Sequence, residues 1–545
     1  MFRTTVFWGE FMRIQMAYVG SSLSAYGFRL LTSIVRRKNP ETTCSFVMFY
    51  NVRSIAKVIS PVSETAELTD EEVGKIAREF SDYDVLGIAC MSEHAAPVKA
   101  IIAAVRKINP KVFIVWGGVH PIMHPDDAIQ HADAICVSEA ETAFPDFLEK
   151  FKSGQDYTAC KSFWFRRGDQ IIKNGFAQLL GPKDLDALPL PVYGEDEVIY
   201  QAGSDGFVPL SHQHYLDYDA LSYNTVWSRG CPYKCTYCGN TRFLEIDREF
   251  GKLRHSSVEH LIAEIRAAVD KVPHISSIAF HDDCFIGLPP ETLQEFSDKM
   301  KSEVGLSFAI HGVTPADIRK NKIEILLGGG LNRVRMGVQS GSDKILKFYK
   351  RPNRAGFVKQ AIDTLGEFAD RMMPPTYDMI FDNPIETVED IQATLRLIYD
   401  MPRPFALNIF SLRYIPNTEL GRQLASLDIE VEGIDKNYTT VKPTFANVLM
   451  YIVALVKLPR PVFEYLLRFA KPYRESAPVP RLVITFFRLL YMVKRAYFHL
   501  KWADFSVAFG RFGWMLRRHG LVKSTYRMQD RGGLLQAHAT ADQRA

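Results

Sequence analysis

Short apolar runs recur along the first 150 positions, at 14–19, 85–89, 112–116 and 134–137. Runs of that length bounded by polar turns predict buried strands. Between them the apolar positions switch to helical spacing, as in 70–80 and 96–107. Strands alternating with helices predict a parallel, doubly wound sheet over residues 12–155, with its ligand at the strand C-terminal ends. Met12 opens the first strand pattern, so residues 1–11 read as an optional extension.

The pattern breaks over 156–222, where Pro182, Pro189, Pro191 and Pro209 and the polar run Ser211-His212-Gln213-His214 predict a connector with little regular structure. A second alternation runs over 223–425, with strands expected at 225–228, 277–280, 306–310, 334–338, 377–381 and 407–412. Six βα repeats predict a partial (β/α)6 TIM-type barrel with its chemistry at the strand C-terminal mouth. The remainder, 426–545, reads as a helical, basic region.

The 545 residues are 47% apolar and 23% charged, which excludes wholesale disorder and a many-span membrane protein. The net charge of +4 is unevenly spread. Residues 446–545 hold 17 Lys/Arg against 5 Asp/Glu, a net of +12, which leaves −8 for the rest. Glu10 and Arg13 interrupt the N-terminal apolar stretch, so no secretory signal is read and a cytoplasmic location is the default.

There are 8 cysteines, too few and too irregular for a disulfide scaffold, and Cys231, Cys235 and Cys238 fall in one loop. Three clustered thiolates suit a [4Fe-4S] cluster and leave one iron open to an exogenous ligand. Two plainer readings compete: a zinc site completed by His212, His214 or His255, and unliganded thiols. Paired Cys-x2-Cys units, the usual zinc pattern, are missing from the sequence.

Cys231-Pro232-Tyr233-Lys234-Cys235-Thr236-Tyr237-Cys238 resembles the Cys-x3-Cys-x2-Cys signature of the radical S-adenosylmethionine (SAM) superfamily. The resemblance implies that the open iron binds SAM and that reductive cleavage releases a 5′-deoxyadenosyl radical. It implies SAM contacts at Tyr237, at Asp282 and Asp283 after the second strand, and at Gln339-Ser340-Gly341-Ser342 after the fourth. The family often has Glu where Gln339 stands. Asp382 and Ile385 replace glycines of a fifth-strand motif, and Asn417 replaces the glycine of Pro416-Asn417-Thr418.

In the first domain, Trp116-Gly117-Gly118-Val119-His120-Pro121 and Ser138-Glu139-Ala140-Glu141-Thr142 resemble the Rossmann-like cobalamin-binding domain fused to many radical SAM proteins. By that resemblance Gly117, Gly118, His120 and Glu139 meet cobalamin, and Ser138 departs from a glycine. No Asp-x-His-x-x-Gly motif occurs, so the resemblance implies cobalamin without a histidine replacing its base. His94 and His120 compete as cobalt ligands or as hydrogen-bonded structural residues. Cys90 and Cys136 read as buried, inert thiols, while Cys284 at the barrel mouth is a candidate catalytic residue.

The resemblance thus implies a cobalamin-dependent radical SAM enzyme acting on a small-molecule or lipid substrate. C-methylation is the first choice, with oxidative cyclisation or rearrangement, as in anaerobic Mg-protoporphyrin monomethyl ester cyclases, as the alternative. A cluster- or cobalamin-binding protein without turnover is the reading from another class. An external electron donor of flavodoxin or ferredoxin type is implied. The tail interleaves Arg460, Arg468, Lys494, Arg495 and Lys501 with aromatics, in apolar runs too short to span a bilayer. It reads as a helical cap over the barrel or as a peripheral membrane contact, and no nucleic-acid module accompanies its charge.

Overall fold

The computed structural model describes residues 12–49, 68–191, 193, 196–352, 354–415, 417–433, 439–507 and 510–521. The extension before Met12, Pro416 and the end of the basic tail, 522–545, lie outside the described residues. The protein divides into two compact units, one running to Tyr218 and one from Asp219 onward, with Arg242–Glu249 grouped with the first.

The first unit is built on β1 (Ile14–Gly20), β2 (Thr43–Met48), β3 (Val85–Cys90), β4 (Phe113–Gly118) and β5 (Ala134–Cys136), all parallel. The apolar residues of these strands are buried on both faces, as a doubly wound sheet requires. The helix Asp70–Phe80 begins where Thr69 and Glu72 form a reciprocal capping box. β2 and β3 lie on opposite sides of β1, so the crevice at their C-terminal ends is a topological switch point.

The stretch expected as a connector is not sparse in structure. It supplies β6 (Phe163–Arg167), β7 (Gln170–Lys173), β8 (Glu197–Gln201) and β9 (Val208–Pro209), which extend the sheet to nine strands in the order β7-β6-β5-β4-β3-β1-β2-β8-β9. β8 escaped detection because it starts on a charge. Glu197 is fully buried and takes two hydrogen bonds from the equally buried Arg29, at 2.7 and 2.9 Å, and one from the Tyr215 hydroxyl. A buried ion pair persists only when its remaining polar atoms are also satisfied, which Leu23 O and Tyr215 do for Arg29.

The second unit carries β10 (Ser222–Thr225), β13 (Ser277–Phe280), β14 (Ser307–Val313), β15 (Leu331–Gln339), β16 (Thr376–Phe381) and β17 (Ala406–Ser411), parallel and in sequence order. Two short strands, β11 (Ser228–Arg229) and β12 (Arg254–His255), pair antiparallel beside it. The first barrel strand starts three residues before its expected place. Its polar residues are not solvated: Tyr223 and Thr225 both donate to buried Glu264 on the helix Val258–Lys271, at 2.9 and 2.6 Å.

Alternation gives each barrel strand two unlike faces. The outer face packs on helices through an aromatic cluster of Phe280, Phe285, Phe296 and Phe308, with ring centroids 4.9–5.9 Å apart. The inner face is polar. There Asp378 accepts from Arg335 Nε at 2.8 and 2.9 Å and from Asn408 at 2.8 Å, and His281 meets Asn224 at 3.1 Å.

Among the described residues, the C-terminal region carries the helices Phe445–Leu455, Arg460–Leu467, Arg481–Lys501 and Gly510–Arg518. Tyr491 anchors the longest to the barrel edge, its hydroxyl donating to Leu407 O at 3.0 Å and accepting from Leu407 N–H. Among the described residues, no helix is long and apolar enough to cross a membrane.

Candidate functional site

The cysteine loop leaves β11 through Gly230, whose φ of +95° and close approach to Phe250 and Lys252 carbonyls admit no side group. The loop is then pinned at both ends. Cys231 N–H donates to Phe250 O at 3.0 Å, Thr236 N–H to Tyr349 O at 3.0 Å, and Leu420 N–H to Thr236 O at 2.9 Å. Tyr233 adds a further tether, its hydroxyl donating to both Asp317 oxygens at 2.8 and 2.9 Å.

The three thiols share one neighbourhood. Burial pushes Cys231 and Cys238 up to about 12, and each is raised further by Cys235 and by Asp283. Thiols held so high are protonated at neutral pH, and a bound metal would release those protons. Among the described residues, no three His, Cys, Asp or Glu side chains are gathered closely enough to hold a metal ion as they stand. The donor set is nonetheless the soft one iron–sulfur clusters require, on one short loop.

Arg351, to which no sequence motif points, donates from Nη1 to Cys235 Sγ at 3.4 Å and to the Tyr237 hydroxyl at 3.3 Å. It lies twelve positions beyond Gln339 and reaches back past Gly337, whose carbonyl takes Nη2 at 2.5 Å. Tyr237 is half-buried, edge-on to Tyr349 at 5.1 Å.

The two aspartates after β13 do different things. Asp282 is buried and accepts from Trp227 N–H at 3.0 Å, from Ser228 N–H at 2.5 Å and from Ser228 Oγ at 2.6 Å. Its oxygens are spent on fixing the entry to the cysteine loop, which departs from the SAM contact expected of it. Burial raises its pKa to about 7. Asp283 keeps an accessible carboxylate, steadied by the Asn240 amide.

Gln339 ends β15 at a φ of +72°, with its amide nitrogen over the Gly337 backbone. The next three residues face away from the barrel interior. Ser340 Oγ lies 3.1 Å from Thr394 Oγ1, Gly341 N–H donates to the same oxygen at 3.0 Å, and Ser342 Oγ donates to Asp390 while capping the helix Asp343–Phe348. Gly341 is required by Ala393 O, 2.7 Å from where a Cβ would stand. Cys284, expected as catalytic, is buried and points its Sγ at Asp317 Oδ2, 3.8 Å away. Its pKa is pushed up to about 12, which makes it a poor nucleophile.

In the first unit the two glycines divide likewise. Gly118 has φ +86° and ψ −167°, and a Cβ there would stand 2.6 Å from Cys90 O. Among the described residues, nothing stands within 4 Å of a Cβ added at Gly117. His120 is buried, stacked between Trp116 and His124 at 4.9 Å each, with Nε2 3.0 Å from Asp127 and a pKa lowered to about 4 by burial. His94 stacks on Phe49 at 5.0 Å. Ser92 Oγ, His120 Nδ1 and Ser138 Oγ, in the segments after β3, β4 and β5, are buried without hydrogen-bond partners among the described residues. Glu139 follows, half-buried. Orphaned polar atoms beside an open glycine fit a bulky polar ligand such as cobalamin.

The fold and these two sites define a SAM-cleaving iron–sulfur barrel joined to a cobalamin domain. Residues 225–398 match the radical SAM superfamily, and residues 12–148 match the B12 binding domain. The protein belongs to the radical SAM superfamily, in its cobalamin-binding branch, and it is an enzyme of that class using a [4Fe-4S] cluster, SAM and cobalamin. It is 23% identical over 431 residues to an uncharacterised methyltransferase of Pyrococcus horikoshii, covering 78% of this protein and 83% of the relative. To the anaerobic magnesium-protoporphyrin IX monomethyl ester cyclase of Synechocystis sp. it is 23% identical over 310 residues, 56% and 57% of the two proteins. The radical SAM methyltransferase TsrM of Kitasatospora setae, solved with cobalamin and a [4Fe-4S] cluster, shares the fold at a TM-score of 0.59, 12% identity and coverage of 76% and 75%.

Proposed function

We propose that the protein methylates a carbon of a small-molecule substrate in a cobalamin-dependent radical SAM reaction. The observation that carries the reading is the placing of Cys231, Cys235 and Cys238 on one pinned loop at the barrel mouth, together with the accessible carboxylate of Asp283. Cys231, Cys235 and Cys238 would hold the cluster, and the open face around Gly117, with His120, Ser138 and Glu139, would hold cobalamin. When bound, these groups supply the electron for SAM cleavage and a carrier for the methyl group.

The protein's own residues do the rest. Asp283 offers a carboxylate to the SAM ammonium, a charge-assisted contact. Arg351 donates a hydrogen bond to Cys235 Sγ and lends positive charge next to the cluster site. Asp282 and the Tyr233–Asp317 pair hold the loop. Tyr237 and Gln339 border the adenosyl site. Electrons come from an external flavodoxin- or ferredoxin-type donor.

Reconstitution with iron, sulfide and cobalamin under anaerobic conditions, followed by electron paramagnetic resonance with and without SAM, tests the reading. A [4Fe-4S] signal that SAM shifts and Cys231→Ala removes is the expected result. Bound zinc with no cluster signal would overturn it. The cyclase relative keeps oxidative cyclisation as the second reading, and product mass separates the two, since only methylation adds a methyl group.

A peripheral membrane contact is part of this proposal. On the helix Arg481–Lys501, Leu482, Phe486, Leu490, Val493, Tyr497 and Leu500 recur at helical spacing and are all exposed. Arg481 and Lys501 stand at its two ends, in a region whose excess charge suits an anionic bilayer surface. Cosedimentation with phosphatidylserine vesicles should fall at least tenfold in Leu490→Asp/Val493→Asp, and equal binding by the double variant would exclude this contact.

A further inference from the structure

The base of the barrel, at the strand N-terminal ends and away from the cysteine loop, holds a second polar chamber. It has a volume of about 250 Å³ and is lined by His311, Arg333, Arg335, Asn408, Arg495 and His499, among others, with no carboxylate among the described residues of its wall. By the share of liquid volume that one water takes, that is room for roughly eight waters or a small organic anion.

Its charges are not balanced from within. Asp378 satisfies Arg335 from one side. Asp504 pairs with Arg333 Nη1 at 3.3 Å, but is shared with Asn332 at 2.9 Å. Among the described residues, Arg333 Nη2 has no hydrogen-bond partner, and neither do the two buried ring nitrogens of His311. Among the described residues, no carboxylate pairs with half-buried Arg495, which enters from the helix Arg481–Lys501. Leaving a buried charged donor unsatisfied forfeits its hydration with nothing in return. Arg333 Nη2 and the His311 ring, without partners among the described residues, stand around one chamber with half-buried Arg495, and an anion would satisfy all of them at once.

We propose that this chamber binds a carboxylate or phosphate group through Arg333 Nη2, Arg495 and a His311 N–H. His281, whose ring lies 4.5 Å from His311, continues the polar wall toward the mouth. The anion comes either from the far end of a substrate that threads the barrel or from free solution. The first source rests on the barrel as the place of reaction; anion binding itself does not.

Calorimetry on the reconstituted full-length protein tests this, with inorganic phosphate and with linear alkyl carboxylates of increasing length, at constant ionic strength in chloride. Saturable binding is expected in the wild type, weakened at least tenfold in Arg495→Gln and in His311→Gln, the low end for a lost charge-assisted hydrogen bond. Among the described residues Arg495 makes no ion pair whose loss would unfold the helix, so that variant keeps the test open. Affinity that climbs with carboxylate length assigns the chamber to the substrate's far end. Phosphate strongest, with a flat carboxylate series, assigns it to a free anion. No binding in wild-type protein that retains its cluster resonance overturns the inference and leaves the radical SAM reading intact. Binding unchanged in both variants overturns it too.

Discussion

Two parallel sheets in this protein solve the same problem differently. In the first unit the strands are buried on both faces, with residues such as Ile88, Ile114 and Trp116 in a continuous apolar core. Such a sheet has no side chains to spare, so its chemistry sits on loops beyond the strand ends, in backbone and in orphaned atoms. In the barrel the inner face is lined by polar side chains rather than by an apolar helix layer. Its strands therefore carry Arg333, Arg335, Asp378 and Asn408 directly. A site made of loops depends on glycine; a site made of strands depends on charge pairing.

That contrast breaks first at Gly118. Its φ and ψ lie in a region open essentially only to glycine, and a Cβ would press on the backbone of β3. Gly118→Ala should cost about 3 kcal/mol or more, read as a large loss of thermal stability in the first unit. Gly117→Ala should leave stability within about 0.5 kcal/mol while weakening cobalamin retention, because among the described residues no protein atom meets the added methyl group, which a bound cobalamin would. Equal stability losses in both variants would mean that the pair serves packing alone.

In the barrel the matching test is Asp282. Three donors converge on it, and Asp282→Asn turns one acceptor into a donor facing an N–H, a change of about 1–3 kcal/mol. The pH dependence has a definite sign. An unfolded aspartate titrates near 4, whereas burial lifts this one to about 7. The folded state then binds more protons between those values, so the stability it contributes is full below about pH 4 and lost as pH rises through about 7. Melting temperature against pH should show that slope, flattened in Asp282→Asn.

How much of this was legible in the sequence follows the same division. The cysteine loop and β13 announce themselves, because thiol spacing and an apolar run are local signals. Asp382 and Asn417, which stand where the family pattern has glycine, keep φ values of +59° and +64°, so the backbone demand outlived the residue. Asp382 manages it by accepting from Lys442 N–H and the Asn447 amide, both at 2.9 Å. What stayed hidden was nonlocal. The charge at Glu197 disguises a strand of the sheet, because its partner Arg29 lies 168 positions away. Polar Ser222–Thr225 looks like loop because its partner Glu264 lies on a later helix. A motif names positions and not orientations, which is why Asp282 and Ser340–Ser342 are expected to face a ligand that their side chains turn away from.

Arg351 carries the finest test of the strand-built site, since it joins charge pairing to the cluster thiols. Its guanidinium donates to Cys235 Sγ and is held in place by the Gly337 carbonyl. Hydrogen bonds to cluster sulfurs favour the more negative, reduced state and raise the potential. Arg351→Met removes one such bond and a positive charge while leaving Cys235 itself. A charged hydrogen bond of about 1.5 kcal/mol corresponds to roughly 60 mV in a one-electron couple. The midpoint potential of the reconstituted cluster should fall by that order, with iron content unchanged, and Arg351→Lys should recover part of the shift. A potential that stays put would mean that the arginine serves only to hold Tyr237 and the end of β15.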